Sequence, residues 1–505
     1  MIEKYYDGAI EQVAAGLGTV EKNHLLVRYS GQFSVENLND TKQLEKNEDI
    51  FVQVHEFETG EITCAYEPYL TMICDGFRRY MTGTFEEFME TCDVYYLHRP
   101  VLLGYFNQDN TGREEIILLD EVAYEQERML AALERMLCAI ADRHPVLFVL
   151  NRFQLASKST MQLTARFLKC ENCNIGLVLG VSDIQAMPEF LVPDWEMLYE
   201  TLDDGSKIYH IGNSGRKKEE TIDDEKYVDY GSEKVYRKLQ NMVEFLDFDQ
   251  AAYYLETIER KIKFDNLLVD DAARFRMWLL FVKVSILRQD IPKALEICED
   301  LEKIHLAGKE EECAYEQDYL IATAYMYQGK LKEALEMAGE TYRIAGKMSD
   351  DYRMFLSELL EAKIQMSGWY NIFFCAQDVK IKESLIQNLI RYNYRNHLAH
   401  VYIYAYDNKP EIVKKANQSE ELLIYFSRGI RIAKKLGNEY LINMAYQKNI
   451  MLSSTNGMYE ISLLYSVRTY EALKDKRSIQ AGRIYSGIAY NLCAIGENER
   501  AMAYY

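Results

Sequence analysis

The sequence has few prolines, no long apolar run and no excess of basic residues. Seven prolines in 505 residues leave room for long uninterrupted helices. No stretch of about 18 apolar residues is present, so the sequence predicts no membrane-spanning helix. The formal net charge of −21 disfavours nonspecific attraction to nucleic acid or to an anionic membrane surface. These absences predict a helix-rich globular protein that contacts neither nucleic acid nor a membrane directly.

The amino terminus lacks the features of a secretory signal. Residues 1–20 carry Glu and Asp where a signal peptide has a basic start and an apolar centre. The ten cysteines are scattered, mostly within apolar patterns, which is typical of reduced and buried thiols. We therefore expect a cytoplasmic protein without a disulfide framework.

The chain is too long for one ordinary hydrophobic core. Its 48% hydrophobic content is ample for more than one packed domain. Residues 214–234 are charged, bounded by glycine and poor in large aliphatic side chains, which is typical of a linker. We predict an α/β domain over residues 1–213, a linker over 214–234 and an all-α domain over 235–505.

Five short apolar runs in the first domain predict the strands of a mostly parallel sheet. The central run, Pro145 to Leu150, is rich in branched and aromatic side chains, as in a strand that is buried on both faces. The other four runs are Leu25 to Val27, Asp49 to Glu56, Asn174 to Asp183 and Lys207 to Gly212. Because helical patterns separate the runs, the expected fold is a doubly wound parallel sheet.

The ends of two of these strands carry altered nucleotide-binding motifs. The first strand runs into Ser30-Gly31 within SGQFSVENLNDTK, where a phosphate-binding loop reads GxxxxGK[ST]. Asn151 and Arg152 follow the central strand, where a Walker B strand carries acidic residues. With the aromatic-rich segment Ala65 to Phe77, this region resembles the signal-transduction ATPases with numerous domains (STAND proteins), an AAA-like branch of the P-loop NTPases. The resemblance implies a P-loop-type α/β domain that acts as a nucleotide switch.

The altered motifs predict a nucleotide site that has lost its activity. No Gly-Lys pair is present to neutralise phosphate, and Glu36 and Asp40 would repel a triphosphate near the phosphate position. An arginine beside the magnesium position would repel the cation, although an asparagine there could still bind a magnesium-bound water. The helical lid and winged helix that the resemblance implies after the fifth strand have no room in this chain. We expect no catalytic residue, cofactor or metal site, and the degenerate positions are Asn151, Arg152, Ser30 and Gly31.

Two further patterns are too incomplete to predict a site. Cys170 and Cys173 form a lone CxxC without a second pair at zinc-binding spacing. Ser182, Asp183 and His210 lack the GxSxG turn that positions a hydrolase nucleophile. We therefore expect neither a zinc or redox site nor a catalytic triad.

Helical patterns in the C-terminal domain recur at intervals of about 40 residues. The alanines that open successive second helices are Ala251, Ala294 and Ala334, with spacings of 43 and 40 residues. Such a period predicts an α-solenoid of stacked helix pairs.

Small and aromatic residues in this domain lie where tetratricopeptide repeats place theirs, so the domain resembles a tetratricopeptide solenoid. The resemblance implies that small residues let paired helices approach and that aromatic residues fill the space between repeats. It is weak between about residues 366 and 425, where only the apolar pattern is kept. The residues that carry it are Trp278, Ala294, Ala322, Tyr325, Gly329, Ala334, Tyr485, Ala489, Gly496 and Ala501.

These features predict a non-catalytic signalling or regulatory scaffold. By resemblance such chains are bacterial regulators, and the solenoid would bind a protein or peptide along its helix faces. Two alternatives stay open. The chain could be a noncanonical ATP-binding switch or ATPase. It could also be a fragment of a larger transcriptional regulator whose C-terminal effector domain is missing, because the last repeat stops at Tyr505 without a polar capping helix.

Overall fold

The computed structural model describes most of the chain. The described residues are 2–19, 24–29, 35, 49–58, 61–109, 112–113, 115–118, 121–170, 174–182, 187–203, 207–211, 229–265, 267–366, 382–404, 419–455, 457–472 and 479–504. Within these ranges, no helix combines the length and apolar character that crossing a membrane requires.

The chain forms two compact units. The first contains residues 1–113 and 122–320, and the second contains residues 114–121 and 321–505. The second unit is therefore built from two separate stretches of chain. The predicted boundaries, at residues 213 and 235, follow composition and repeat spacing rather than contacts, and they stay a prediction.

The first unit contains a parallel sheet of five strands in the order β2-β3-β4-β1-β5. Every neighbouring pair of strands runs parallel. The two strands β3 and β4 are buried along their whole length, because helices cover both faces of such a sheet. The bounds are β1 Leu25–Tyr29, β2 Phe51–Glu56, β3 Val146–Asn151, β4 Ile175–Ser182 and β5 Lys207–Ile211. The prediction of a parallel sheet in this part of the chain is confirmed.

Helix α1, Ile2–Gly16, precedes the first strand. Helices connect β2 to β3, β3 to β4 and β4 to β5, as parallel pairing requires. They are α2 Tyr69–Tyr80, α3 Phe85–Thr91, α4 Arg99–Asn107, α5 Val122–Ala141, α6 Lys158–Lys169 and α7 Val192–Asp203. Two of their starts follow from side-chain capping. Thr84 and Glu87 form a capping box at α3, and the Ser157 hydroxyl accepts from the Thr160 amide at α6.

Two glycines in β4 bring α1 close to the sheet. A Cβ atom on Gly176 would lie 2.6 Å from Cγ1 of Val13, and one on Gly180 would lie 2.3 Å from Oη of Tyr6. Any other residue at either position would therefore push α1 away from β4. The buried residues of this layer, including Tyr6, Val13 and Tyr29, form one apolar cluster between α1 and the sheet.

Four more complete helices belong to the first unit. They are α8 Glu233–Glu244, α9 Phe248–Phe264, α10 Asp271–Leu287 and α11 Ile291–Leu301, and α12 Glu310–Gln328 begins in this unit. An aspartate precedes α9, α10 and α11, and each one accepts a hydrogen bond from an amide of the first turn. These caps, Asp247, Asp270 and Asp290, explain where the three helices begin.

The second unit is helical in its described residues from 321 onward. Its complete helices are α13 Leu331–Lys347, α14 Asp351–Met366, α15 Glu383–Arg391, α16 Arg395–Tyr404, α17 Ser419–Leu436, α18 Glu439–Thr455, α19 Tyr459–Ala472, α20 Ile479–Ala494 and α21 Asn498–Met502. Consecutive helices pack on each other, for example α13 on α14, α16 on α17, and α18 on α19. The prediction of a largely helical C-terminal region is confirmed.

Candidate functional site

The strand order creates a topological switch point between β1 and β4. The chain leaves β1 toward β2 in one direction and leaves β4 toward β5 in the other. Open parallel sheets bind ligands outside the carboxyl ends of the strands at such a point. Tyr29 ends β1, Ser182 ends β4, and Asn151 ends the neighbouring strand β3. This carboxyl edge is the candidate functional site.

A hydrogen bond between Tyr29 and Asn151 crosses the switch point. Oη of Tyr29 donates to Oδ1 of Asn151 over a distance of 2.6 Å, although β4 lies between their strands. The bond is possible because a glycine lies below it, since a Cβ atom on Gly180 would be 2.6 Å from Oδ1 of Asn151. Tyr29 and Asn151 are both buried.

The side chain of Tyr6, on α1, also lies against Gly180. Its side chain is fully buried, and burial raises its pKa well above the usual value, with Tyr29 and Glu56 as further causes. Burial likewise raises the pKa of Tyr29 to about 12, and Arg152 opposes this shift. Both phenols are therefore neutral at physiological pH, and Tyr29 keeps the proton that it donates.

Arg152 forms an ion pair at this edge. Its Nη2 atom lies 3.3 Å from Oε1 of Glu56, and Oε2 of Glu56 accepts from the amide of Val35 at 3.2 Å. Arg152 has a left-handed backbone, with φ 52° and ψ 41°, so the chain turns sharply directly after β3. The ion pair holds the guanidinium against the end of β2.

The arrangement leaves both predicted Walker B positions, Asn151 and Arg152, engaged within the protein. The side-chain oxygen Oδ1 of Asn151, which could have accepted from a magnesium-bound water, accepts from Tyr29. The Arg152 guanidinium pairs with Glu56, the acidic side chain that ends the neighbouring strand. A nucleotide with its cation would have to break the Tyr29 hydrogen bond to use Asn151, and the Glu56 ion pair to use Arg152.

The predicted phosphate-binding loop and the CxxC pair lie wholly or partly outside the described residues. Ser30 and Gly31 lie outside the described residues, as does residue 173, so neither the altered phosphate-binding loop nor the CxxC pair can be placed. Sγ of Cys170 instead lies 3.5 Å from Sγ of Cys138. In the part of the chain that the structure describes, no group of His, Cys, Asp and Glu could hold a metal ion.

Sequence reasoning missed four residues of this edge: Tyr6, Tyr29, Glu56 and Gly180. The one signal in the sequence is the spacing of Gly176 and Gly180, four residues apart in an otherwise apolar strand, since glycine there marks a close approach. Nothing in the sequence shows which side chain fills the space above Gly180.

A buried polar cluster joins the start of α6 to the start of α9. The Ser159 amide donates to Oδ2 of Asp247 at 3.0 Å, and the Asp247 carboxylate also caps α9. Burial raises the pKa of Asp247, and hydrogen bonds from Ser159 and Gln250 oppose the rise. Lys158 pairs with Asp249 beside it. The predicted helix after the central strand therefore also anchors the first helices of the repeat region.

The first unit contains a cavity of about 570 Å³ between α2, α4 and α8. Its size is in the range of small-molecule sites. Arg78 and Asp75, which pair at 3.1 Å, line it together with Tyr105, Arg237 and Glu244. No motif in the sequence pointed to this cavity.

Six of the ten predicted repeat-signature residues are buried. The alanines Ala294, Ala322, Ala334, Ala489 and Ala501 are fully buried, as small residues between paired helices must be. Trp278 in α10 is also buried. Gly329 and Gly496 end helices with positive φ, and Tyr325 and Tyr485 lie in α12 and α20. The weakly matching stretch lies partly outside the description, at residues 367–381 and 405–418.

No model of a protein family matches this chain, and no curated protein matches it. Two solved structures are similar over long stretches. A STAND protein with a tetratricopeptide repeat sensor from Pyrococcus horikoshii covers 96% of this chain and 86% of its own, at 10% identity and a TM-score of 0.44. NprR in complex with its cognate peptide NprX covers 53% of this chain and 74% of its own, at 15% identity and a TM-score of 0.37.

Proposed function

We propose that the protein is a non-catalytic regulator whose α/β domain no longer binds nucleotide and whose helical domain binds a protein or peptide segment. The observation that carries the first half is the Tyr29–Asn151 hydrogen bond above Gly180. It occupies the switch point at which a parallel sheet would otherwise receive a ligand.

The free energy favours the state in which Asn151 and Arg152 stay paired with Tyr29 and Glu56 over the state with bound nucleotide. A nucleotide would have to replace the buried Tyr29–Asn151 bond and the Arg152–Glu56 ion pair. Each buried polar group that is left without a partner costs about 1 to 3 kcal/mol. Among the described residues that end β1, β2, β3 and β4, the one carboxylate is that of Glu56, and it is engaged with Arg152. Hydrolysis needs a bound cation, and the described side chains at this edge offer it no unengaged carboxylate.

The helical half of the proposal rests on the paired helices and on exposed apolar side chains. Ile461 and Leu464 are three residues apart on α19 and are each nearly half exposed. Tyr490 on α20 is more than half exposed, with its ring 6.2 Å from that of Tyr459. Neighbouring exposed apolar side chains on stacked helices are typical of surfaces that bind other proteins.

Calorimetric titration with ATP and ADP tests the non-catalytic half. The full chain, freed of bound nucleotide, is titrated with each nucleotide in the presence and absence of magnesium. We expect no saturable heat up to millimolar nucleotide. Micromolar binding that depends on magnesium would contradict the proposal and favour the noncanonical switch.

A further inference from the structure

Eight residues of the second unit come from within the sequence of the first. The chain leaves the first unit after Arg113 and returns to it at Val122, and residues 114–121 belong to the helical unit. We call these residues, EEIILLDE, the inserted segment. The structure describes five of them, residues 115–118 and 121.

The first turn of α16 binds the Glu115 carboxylate. The His397 amide donates to Oε1 at 2.7 Å, and the Asn396 amide donates to Oε2 at 3.3 Å. The His397 ring adds a contact of 2.6 Å between Nδ1 and Oε1. All three residues are buried. A helix start favours an anion, and here two amides and a ring converge on one carboxylate.

The His397 ring is neutral in this position. Burial lowers its pKa well below the usual value, and the Lys363 ammonium lowers it further. Nδ1 therefore carries the ring proton and donates it to Glu115 as a hydrogen bond, because the carboxylate can only accept. The contact therefore requires the tautomer with the proton on Nδ1 and does not require a charged ring.

A second carboxylate is bound at the other end of the segment. Nδ2 of Asn438 lies 3.1 Å from both carboxylate oxygens of Glu121. Oδ1 of Asn438 accepts from the Leu441 amide and so caps α18. Nδ2 of Asn438 is also 3.0 Å from Oδ1 of Asn396, which links the two carboxylate sites.

Aliphatic side chains between the two acids pack into separate apolar clusters. Ile116 packs against the cluster that contains Phe355, Leu389 and Tyr394. Leu118 is buried in the cluster that contains Ala399 and Leu441, among others. Among the described residues of the segment, the helical unit thus contacts the side chains at positions 115, 116, 118 and 121.

We propose that this surface is a binding site for a linear protein segment in which two acids, six residues apart, flank aliphatic residues. The inserted segment is the chain's own ligand for it, and a partner segment of the same chemistry displaces it. The site consists of Asn396, His397, Asn438 and the two apolar clusters, and is called the segment site. The inference rests on the proposed function, because it assigns the position and the chemistry of partner binding.

The contacts are those of a recognised peptide rather than of a buried linker. The main contacts are to side chains, which any segment with the same residues could supply. A linker that only connects two units would need no carboxylate at both ends, since each buried charge has to be matched by buried donors.

On both sides of the segment the neighbouring chain is held within the first unit, so the segment is tethered at both ends. Nη1 of Arg113 lies 3.5 Å from Oε2 of Glu244, and Nε2 of Gln126 donates to the Leu246 carbonyl at 2.8 Å. A tethered ligand of this kind has an effective concentration in the millimolar range. A free peptide of equal intrinsic affinity therefore competes poorly until the tethered segment is weakened.

A labelled peptide tests this inference in the full chain. The probe is fluorescein-labelled GREEIILLDEVAY, which corresponds to residues 112–124, and binding is followed by fluorescence anisotropy. In the double variant Glu115→Ala and Glu121→Ala the probe should bind at least about tenfold more tightly than in the unmodified protein, because the competing segment has lost both acids. Equal affinity for the two proteins would overturn the inference.

Two controls separate specific binding from adhesion. Adding His397→Ala and Asn438→Ala to the double variant should weaken probe binding by about tenfold or more, because the receptors of both carboxylates are gone. A probe with glutamine at both anchor positions should bind similarly weakly. Undiminished binding in either control would overturn the inference.

A milder variant protects the test against misfolding. If the alanine variant loses its cooperative melting transition, Glu115→Gln with Glu121→Gln keeps the side-chain shapes and should tighten probe binding in the same direction. Probe failure in a folded variant overturns the segment site and leaves the nucleotide titration untouched. Magnesium-dependent ATP binding would overturn the proposed inactive α/β domain without affecting the peptide result.

Discussion

Oη of Tyr29 lies 2.6 Å from Oδ1 of Asn151, and strand β4 passes between their strands at Gly180. The absence of a side chain at Gly180 thus allows Tyr29 and Asn151 to form their hydrogen bond. The same principle applies at Gly176, where Val13 of α1 takes the space. The gap at Gly180 lets side chains of the protein itself fill the carboxyl edge, and the gap at Gly176 lets α1 approach the other end of β4.

Replacing Gly180 with alanine should destabilise the protein. The new Cβ atom would lie 2.3 Å from Oη of Tyr6 and 2.6 Å from Oδ1 of Asn151. Overpacking of this kind costs about 1 to 3 kcal/mol of unfolding free energy, which urea denaturation can measure. Gly8→Ala in the exposed part of α1 is the matched control. Nothing lies within 4 Å of its Cβ position, so it should stabilise by about 0.5 to 1 kcal/mol. A loss at Gly8 as large as that at Gly180 would contradict the packing described here.

Removing the Tyr29 hydroxyl should cost about 1 to 2 kcal/mol. The substitution Tyr29→Phe keeps the ring in place and withdraws the donor from the buried side-chain oxygen Oδ1 of Asn151. Tyr342→Phe on the exposed face of α13 is the control and should change the unfolding free energy by less than about 0.5 kcal/mol. Equal effects of the two substitutions, measured by urea denaturation, would show that the bond to Asn151 contributes nothing.

The buried Asp247 carboxyl should make stability depend on pH. Because burial raises its folded pKa above 3.8, the folded state binds more protons than the unfolded state above about pH 4. The Asp247 contribution to the unfolding free energy therefore falls as the pH rises from about 4 through the folded pKa.

Asp247→Asn removes this titration while keeping an acceptor for the Ser159 amide. The difference in unfolding free energy between variant and unmodified protein should shift in favour of the variant as the pH rises from 4 to 7. Denaturation curves at four or five pH values measure it. A difference that is constant over this range would contradict the raised pKa.

Much of the fold could be predicted from local patterns. The run Pro145 to Leu150 predicts a buried strand because its side chains are apolar on both faces, and the observed strand is Val146–Asn151. The spacing of the alanines predicts helix pairs, and Ala294 and Ala334 are fully buried in α11 and α13. In both cases the signal lies within one element.

The candidate sites could not be predicted in the same way. The Tyr29–Asn151 contact depends on a strand order that places β4 between residues 122 positions apart in the sequence. The inserted segment lies in an apolar stretch whose partners, such as His397, are about 280 residues away. Its sequence gives no sign that its acids are buried, since acidic residues are nearly always exposed.

The interpretation of the α/β domain as an inactive P-loop domain stays a prediction. Its main evidence in the sequence is the segment after β1, and Ser30 and Gly31 in that segment lie outside the described residues. What the structure adds is the engagement of Asn151 and Arg152 by Tyr29 and by Glu56.

Hydrogen exchange at α16 tests most directly whether the chain occupies its own segment site. The amides of Asn396 and His397 lie in the first turn of the helix, where no intrahelical acceptor exists, and they donate to Glu115 instead. We predict that both amides exchange at least about tenfold faster in Glu115→Ala than in the unmodified protein. The Ala273 amide, which Asp270 caps in the first unit, should exchange at the same rate in both proteins. Equal rates at Asn396 and His397 in the two proteins would show that the inserted segment does not occupy the site.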